Sequence, residues 1–378
     1  MKRKLWFVAL GNLSDSFIAA TIHCREDVRG LTKLGWDATL FSQANSKIDS
    51  HKDFKEVVVC KNRPLIYRLV FELKLILRLL FFEKPDFVLM RGMGLFFFSM
   101  MLWFLRIPYG NELCGPPYCF LNNGPWWNIS YRTDKFILKR ASIIIALTQE
   151  LANLSKNFIR LETLVAITGV GVDVNSYKFE NNPPSTSDFI LGFMGTLYEN
   201  RGLETAFNAM ICLHDKGINT KMIIVGDGAF RKKAEQITID LGISDKVIFR
   251  GYVPPSAVGV EMAQCDLTVA FYEHTPELTI GGINPMKVWT SLAIGKPVLL
   301  HNPGTFDAYN DIPGIFSCPA TEPKEVAEML RKIWNDNGKN GLANAGLEGR
   351  KYITENITWL GHAKVIDETI CKRLNITK

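Results

Sequence analysis

Short apolar runs of strand length alternate with helical segments along the chain, and a glycine-containing loop follows most of these runs. Leu5–Leu10 and Phe189–Met194 are two of them. Continuous apolar runs separated by crossover helices are typical of buried parallel strands. The alternation therefore predicts the α/β class, with doubly wound parallel sheets. A chain of 378 residues exceeds what one hydrophobic core usually supports, so we expect two domains.

The segment Asn181–Ser187 has the composition of a linker, since it contains only Asn, Pro, Ser and Thr. We therefore predict an N-terminal domain over residues 1–180 and a C-terminal domain over residues 188–358. A last helix, over about residues 359–374, is expected to pack back on the first domain. Ligands of open parallel sheets bind at the carboxyl ends of the strands, so both domains should face a central cleft. The loops expected to line that cleft contain Gly11, Glu112, Thr196, Gly226 and Gly282.

One stretch, Gly281–Val298, combines several signals. Two glycines and Pro285 form a loop, an apolar-periodic segment follows, Gly295 ends that segment, and Pro297 precedes a strand. The start of such a helix favours an anion, and Lys287 in its first turn adds a positive charge. A phosphate-bearing ligand is one interpretation. The other is an ordinary αβ unit of a doubly wound domain.

The charge is unevenly distributed. Residues 1–180 contain 24 Lys and Arg against 16 Asp and Glu, a net charge of +8, whereas residues 181–378 contain 20 against 22, a net charge of −2. The basic half should meet an anionic partner, either a membrane surface or a phosphorylated substrate. The sequence contains no nucleic-acid recognition motif, so we expect no nucleic-acid partner.

Two segments of the first half are unusually apolar. Leu65–Phe82 is helical by period and is interrupted by three basic residues, and Gly94–Leu105 is almost entirely apolar. Twelve residues are too few to cross a bilayer, which takes about 20. We favour two buried crossover helices; the alternative is attachment in the plane of a membrane, through basic segments with Trp and Phe.

The eight cysteines form no C-x-x-C pair and have no metal-like spacing with the six histidines. Lys2–Lys4 leads directly into a strand-length run, not into a signal-type segment with a cleavage site. These features predict reduced thiols, no metal site and a cytoplasmic protein, with peripheral attachment to the inner face of a membrane as an open alternative.

Several motifs follow one another in order along the second half. They are a glycine loop from Gly195 to Arg201-Gly202, then Val225–Gly228, Gly251–Val253 and Leu292–Val298. Together they resemble the donor domain of retaining glycosyltransferases with the GT-B fold, of the family-4 type, or glycosyl transferases group 1. Further segments are similar to this family at the end of its first domain and before its last helix: Ala141–Thr148, Gly171–Asp173 and Trp359. The resemblance covers nearly all of the chain and is strongest over residues 190–300.

The resemblance implies transfer of a sugar from a nucleoside-diphosphate sugar, a UDP-sugar or a GDP-sugar, to a glycan or lipid-linked acceptor. It implies retention at the anomeric carbon and no required metal or other cofactor. The absence of any Asp-x-Asp agrees with a metal-free donor site. Cations and helix N-termini would then stabilise the diphosphate leaving group.

The resemblance also implies site residues. Arg201 stands where the family has a phosphate-binding Lys, and Lys287 follows the Asn-Pro of a variant loop. The residues expected to bind the donor are Gly11, Gly195, Thr196, Arg201, Gly226, Val253, Gly282, Ile283, Asn284, Lys287 and Thr290. Glu112 and Cys114 are the catalytic candidates of the acceptor domain.

The chain departs from the family's pattern at four positions. Gly282 and Thr290 stand where the family has two glutamates, Thr196 where it has an Arg, and Cys114 where it has a His. Three interpretations are therefore open. The first is an active glycosyltransferase, and the second is a GT-B scaffold that has lost turnover and acts as a partner or regulatory subunit. The third is a nucleotide-sugar epimerase on the same fold.

Overall fold

A computed structural model of the chain describes residues 3–14, 19–46, 51–61, 66–116, 127–177, 179, 186–272, 280–282, 285–301, 309–320 and 322–376. The chain forms two compact units. The first contains Met1–Gly171, Pro276–Asn284 and Trp359–Lys378, and the second contains Val172–Thr275 and Pro285–Thr358.

The first unit is a parallel sheet covered by helices. Its strands are β1 (Lys4–Asn12), β2 (Asp37–Gln43), β3 (Lys55–Cys60), β4 (Phe87–Arg91), β5 (Tyr109–Leu113), β6 (Ile143–Ala146) and β7 (Leu164–Ile167). Its helices are α1 (Ala19–Lys33), α2 (Ile66–Phe81), α3 (Phe96–Phe104), α4 (Trp127–Arg140), α5 (Gln149–Ser155) and, after the second unit, α11 (Trp359–Leu374). The strand order is β3-β2-β1-β4-β5-β6-β7, and each described pair is parallel.

Alternate side chains of β1 enter two different layers of the first unit. Leu5 and Phe7 pack in one core with Val28 of α1 and Ile366 of α11. On the opposite face, the ring of Trp6 lies 4.7 Å from that of Phe41, between their centres. Because both faces of the sheet are covered, its central strands can be continuous apolar runs.

Helices α2 and α3 are only half buried, and the expectation that both would be buried crossover helices is wrong. Phe71, Leu75 and Leu79 of α2 are fully buried, as are Phe98 and Leu102 of α3. A second set of large apolar side chains on the two helices and the residue after α2 is exposed: Leu69, Leu73, Leu77, Leu80, Phe81, Phe82, Phe97, Met100, Trp103 and Phe104. We call this set the apolar face. A helix that is apolar on all sides keeps one apolar side in solvent when it covers one face of a sheet.

The second unit repeats the same architecture. Its strands are β8 (Phe189–Met194), β9 (Thr220–Val225), β10 (Val247–Gly251), β11 (Leu267–Ala270), β12 (Val298–His301) and β13 (Ile315–Cys318). Its helices are α6 (Leu203–His214), α7 (Arg231–Asp240), α8 (Pro255–Met262), α9 (Met286–Ala293) and α10 (Pro323–Asn356). The order is β10-β9-β8-β11-β12-β13, again parallel in every described pair. The predicted α/β class with two doubly wound parallel sheets is confirmed.

The stretch Gly281–Val298 divides between the two units. Helix α9 and strand β12 lie where the sequence predicts them, and Gly295 ends the helix with a φ of 73°. Gly281 and Gly282, however, belong to the first unit. A Cβ on Gly282 would lie 2.4 Å from Oε2 of Glu150, so its backbone is packed closely against the start of α5.

Among the described residues, no helix is both long enough and apolar enough to cross a bilayer.

Candidate functional site

The loops after β8 and β9 touch each other through two glycines. The amide of Gly195 donates to the carbonyl of Val225 over 2.9 Å, and a Cβ on Gly226 would lie 2.0 Å from the Gly195 oxygen. Both glycines have a positive φ, 123° and 137°, which side chains disfavour. The motif glycines therefore permit a close approach of two loops at the carboxyl edge of the second sheet, where ligands of such folds bind.

Lys287, in the first turn of α9, lies across this edge. Its Cε would be 2.9 Å from a Cβ on Gly195, and its Nζ is 4.1 Å from the ring centre of Phe193. The Nζ is buried, and it has no hydrogen-bond partner among the described residues. The lysine therefore rests on an aromatic ring and holds an ammonium group for which the described part of the unit supplies no carboxylate.

Arg201 brings a second cation to the same place. A 3₁₀ turn, Glu199–Arg201, carries it, and Gly202 follows with a φ of 65° at the start of α6. The Arg201 guanidinium carbon lies 5.6 Å from the ring centre of Tyr272, and Lys287 Nζ lies 6.0 Å from that centre. Nε of Arg201 is buried and has no hydrogen-bond partner in the described chain.

The electrostatics of this pair are unusual. Burial, together with the positive charge of Arg201, lowers the pKa of Lys287 to about 7 from its ordinary 10.5. A buried ammonium group beside a second cation is costly unless an anion joins them. The geometry thus supplies two convergent cations at a glycine-lined edge, an arrangement suited to a diphosphate.

The other predicted donor residues of the second unit differ in their surroundings. Thr196 is exposed, and Val253 packs against the core between β8 and α8. The side chain of Thr290 is hydrogen-bonded to the hydroxyl of Tyr177, a residue that the sequence did not indicate. Ile283 and Asn284 lie outside the described residues.

The remaining predicted residues lie in the first unit. Gly11 has a φ of 152°, at the irregular end of β1. Cys114 is exposed, whereas the carboxylate of Glu112 is fully buried. Burial acts to raise the pKa of Glu112, but the charges of Arg91 and His23 hold it well below its ordinary range. Nη1 of Arg91 donates to Oε2 of Glu112 over 3.0 Å.

Glu112 belongs to a buried polar cluster that the sequence did not predict. The other members are His23 and Asp27 of α1 and His362 of α11, with Arg91 beside them. The one local signal is the spacing of four between His23 and Asp27, which places both on one side of a helix. Nothing in the sequence connects these positions with residue 362.

Comparisons with known proteins agree with the fold and the motifs. The family model "Glycosyl transferases group 1" matches residues 174–356. A glycosyltransferase from Rickettsia africae superposes with a TM-score of 0.75 at 14% identity, and all of both chains is covered. HepE from Anabaena, solved in complex with UDP, has a TM-score of 0.73 at 17% identity, over 98% of this chain and 100% of that one. HepE has also been solved with UDP-glucose.

A curated relative is the 2-deoxystreptamine glucosyltransferase of Streptomyces kanamyceticus. It is 22% identical over 216 residues, which make up 54% of each chain. The chain spans about half the length of the curated relatives it matches. The segment 174–356 is therefore a member of the glycosyl transferases group 1 family, and the chain that contains it has the GT-B fold.

Proposed function

We propose that the protein is a glycosyltransferase that binds the diphosphate of a nucleotide-sugar between Arg201 and Lys287. The observation that carries this proposal is the pair of half-buried cations at the Gly195–Gly226 edge, whose Arg201 Nε and Lys287 Nζ are buried without a hydrogen-bond partner in the described chain. The donor complexes of HepE with UDP and UDP-glucose support a UDP-sugar as the first donor to test. The same cations would stabilise the charge that develops on the leaving diphosphate, so the site needs no metal at this point.

Calorimetric titration of the full chain with UDP-glucose, UDP, GDP and glucose tests the donor assignment. A charge-assisted hydrogen bond contributes about 1.5–3 kcal/mol, so Arg201→Ala or Lys287→Ala should weaken nucleotide binding by about one to two orders of magnitude. Lys233→Ala is a matched control, because Lys233 is an exposed cation of the same unit that is already paired with Glu199 at 2.5 Å. Unchanged affinity in both cation variants would remove the phosphate assignment.

Metal independence and stereochemistry are part of the same proposal. Binding should be equal with Mg²⁺ and Mn²⁺ added or omitted. With an acceptor present, an α-linked donor should give an α-linked product, which NMR of the anomeric proton detects. A chain that binds UDP-glucose tightly but releases no UDP in the presence of membrane extracts would instead be a GT-B scaffold without turnover. The altered positions Gly282 and Thr290 favour that interpretation.

We further propose that the acceptor is lipid-linked and that the first unit reaches it by resting on the membrane through the apolar face. Leu73 is 55% exposed and Phe104 75% exposed, which is unusual for such large side chains on two adjoining helices. Exposed basic side chains lie on or next to these helices: Lys74, Lys84 and Arg106. An apolar face bordered by basic residues is typical of helices that lie in the plane of an anionic membrane.

Flotation with vesicles tests this attachment. Each basic residue near an anionic surface contributes about 1 kcal/mol, so the protein should float with anionic vesicles at low salt, and less at high salt. Leu73→Glu combined with Leu77→Glu should abolish flotation. Leu161→Glu is the control, since Leu161 is fully exposed in the same unit but belongs to the loop between α5 and β7, not to either helix. Equal flotation of the control and the double variant would contradict the proposal.

A further inference from the structure

Four buried side chains from three distant parts of the sequence converge in the first unit. His23 and Asp27 lie one turn apart on α1, Glu112 lies on β5, and His362 lies on α11. One nitrogen or oxygen atom of each can be chosen so that all four lie within 4.8 Å of one another. Each residue is at most 3% exposed, so bulk water does not solvate the cluster.

The distances describe a compact set of donor atoms. Nε2 of His23 lies 3.4 Å from Nε2 of His362 and 3.4 Å from Oδ2 of Asp27. The same Nε2 of His23 lies 2.9 Å from Oε1 of Glu112, and Nε2 of His362 lies 2.9 Å from Oδ1 of Asp27. Zinc bonds of about 2.0–2.1 Å at tetrahedral angles place neighbouring donor atoms about 3.3–3.4 Å apart. The two pairs at 3.4 Å have this spacing, and the two pairs at 2.9 Å would open slightly around the ion.

Three of the four carboxylate oxygens of the cluster receive no hydrogen bond from Arg91 or from the described backbone. Both oxygens of Asp27 and Oε1 of Glu112 are buried, and their closest ion-pair contacts are with imidazole nitrogens, none in hydrogen-bond alignment. The two contacts of 2.9 Å are ion pairs when the imidazoles are protonated, and they become available to a metal when the imidazoles are neutral. Buried carboxylate oxygens without donors are costly.

Arg91 compensates only part of this charge. Its Nη1 donates to Oε2 of Glu112, the oxygen that does not contact His23, and lies 3.9 Å from Oδ2 of Asp27. A metal requires neutral imidazoles, and the two carboxylates facing one guanidinium then leave one negative charge for the ion to balance. Arg91 therefore has the position of an outer partner that orients a ligating carboxylate.

We propose that His23, Asp27, Glu112 and His362 bind a zinc ion. Two imidazoles and two carboxylates are ligands that zinc accepts, and four protein ligands leave no open position for a substrate. The ion is therefore structural. It fastens α11 to α1 and β5, so that the helix that follows the second unit is held on the sheet of the first. Because the ligands come together only in the folded unit, zinc binding adds to folding stability.

The first test uses the full chain expressed with zinc in the medium. Elemental analysis after gel filtration should find one zinc per chain. Removal of the metal by a chelator should lower the thermal midpoint, and one equivalent of zinc should restore it. Replacement by Co²⁺ should produce the intense visible absorption of a tetrahedral complex. These measurements are independent of glycosyl transfer.

Variants then locate the ion. His362→Gln and Asp27→Asn should each reduce zinc affinity by more than the roughly 10- to 100-fold that loss of an outer partner costs. His51→Gln is the matched control, because His51 bonds to Glu56, outside the cluster, with 2.9 Å between its Nε2 and Oε2. Full zinc occupancy in His362→Gln would place the ion elsewhere. A wild-type chain that holds no zinc, takes none up and has an unchanged midpoint would overturn the proposal and leave a proton-sharing polar cluster.

Discussion

The side chain of Lys287 lies over the backbone of Gly195, where a Cβ would stand 2.9 Å from its Cε. The glycine loop and the first turn of α9 thus pack closely because Gly195 has no side chain. Because the Gly195 φ is 123°, a larger residue would also strain the loop. The position of the lysine therefore depends on a glycine 92 residues before it in the sequence.

Gly195→Ala should weaken UDP-glucose binding by about tenfold or more, since it displaces Lys287 from its place at the edge of the sheet. Gly217→Ala is the control: its φ, 78°, is also positive, but a Cβ there meets nothing within 4 Å. Calorimetry gives the affinities, and the thermal midpoints show whether both variants lose similar stability. Equal affinities for UDP-glucose in the two variants would show that Gly195 does not position Lys287 for donor binding.

The pKa of Lys287, about 7, predicts how donor binding depends on pH. UDP-glucose should bind best at or below pH 7, where the ammonium is present, and should lose up to about tenfold in affinity for each pH unit above it. Lys287→Arg should bind independently of pH over the same range, because arginine stays charged. Titrations between pH 6.5 and about 9 compare the two.

The lowered pKa of Lys287 changes the free energy of unfolding with pH in the opposite direction. Between pH 7 and the ordinary pKa of 10.5, the unfolded chain holds a proton on Lys287 that the folded chain has released. The free energy of unfolding should therefore rise with pH across this window. Lys287→Met should remove that part of the slope, as measured by denaturant unfolding at several pH values.

Two substitutions distinguish the role of the Thr290 hydroxyl in donor binding from that of the Tyr177 hydroxyl. If the Thr290 hydroxyl binds the ribose, Thr290→Val should weaken UDP-glucose binding by about 1 kcal/mol, or about fivefold. Tyr177→Phe removes only the competing hydrogen bond and should leave binding unchanged or stronger. Equal losses in the two variants would mean that Thr290 acts only by holding Tyr177 in place.

Helices α1 and α11 cross at a glycine. A Cβ on Gly30 would lie 2.4 Å from Cβ of Ala363, so Gly30→Ala should destabilise the first unit by about 1–2 kcal/mol despite the better helix propensity of alanine. The exchange Gly30→Ala with Ala363→Gly restores one methyl at the crossing and should recover most of the loss. Thermal unfolding of the three variants measures this, and a stabilised single variant would contradict it.

The sequence predicts those elements that are marked by a local pattern, such as an apolar run or a glycine stop. Strand β8 and helix α9 follow from an apolar run and from a glycine stop, respectively. Strand β3 was not predicted: it lies at the edge of the sheet, and its side chains are mostly half exposed, so its composition is mixed. Helix α10 was not predicted either, and it contains Gly338 with a φ of 57°, which interrupts its period.

The candidate sites also differ in whether a local sequence pattern marks their residues. Arg201 and Lys287 could be proposed as donor-binding residues because they stand in ordered motifs, and the structure places both beside Tyr272. The surroundings of Glu112 could not be found, because His23 and His362 are 339 positions apart and meet only through packing. A local pattern records which residues share an element; it does not record which elements meet.

Helix α11 supplies Ile366 and Ile370 to the core that also contains Leu5 and Phe7. During synthesis the ribosome must therefore release the whole second unit before the first can cover that face of its sheet. Until then, the apolar side chains on that face of the early strands stay exposed. The segments of the second unit are complete by residue 358, so that unit can fold first. Truncation before Trp359 should accordingly yield a nascent chain that chaperones retain, even though every strand of both sheets is present.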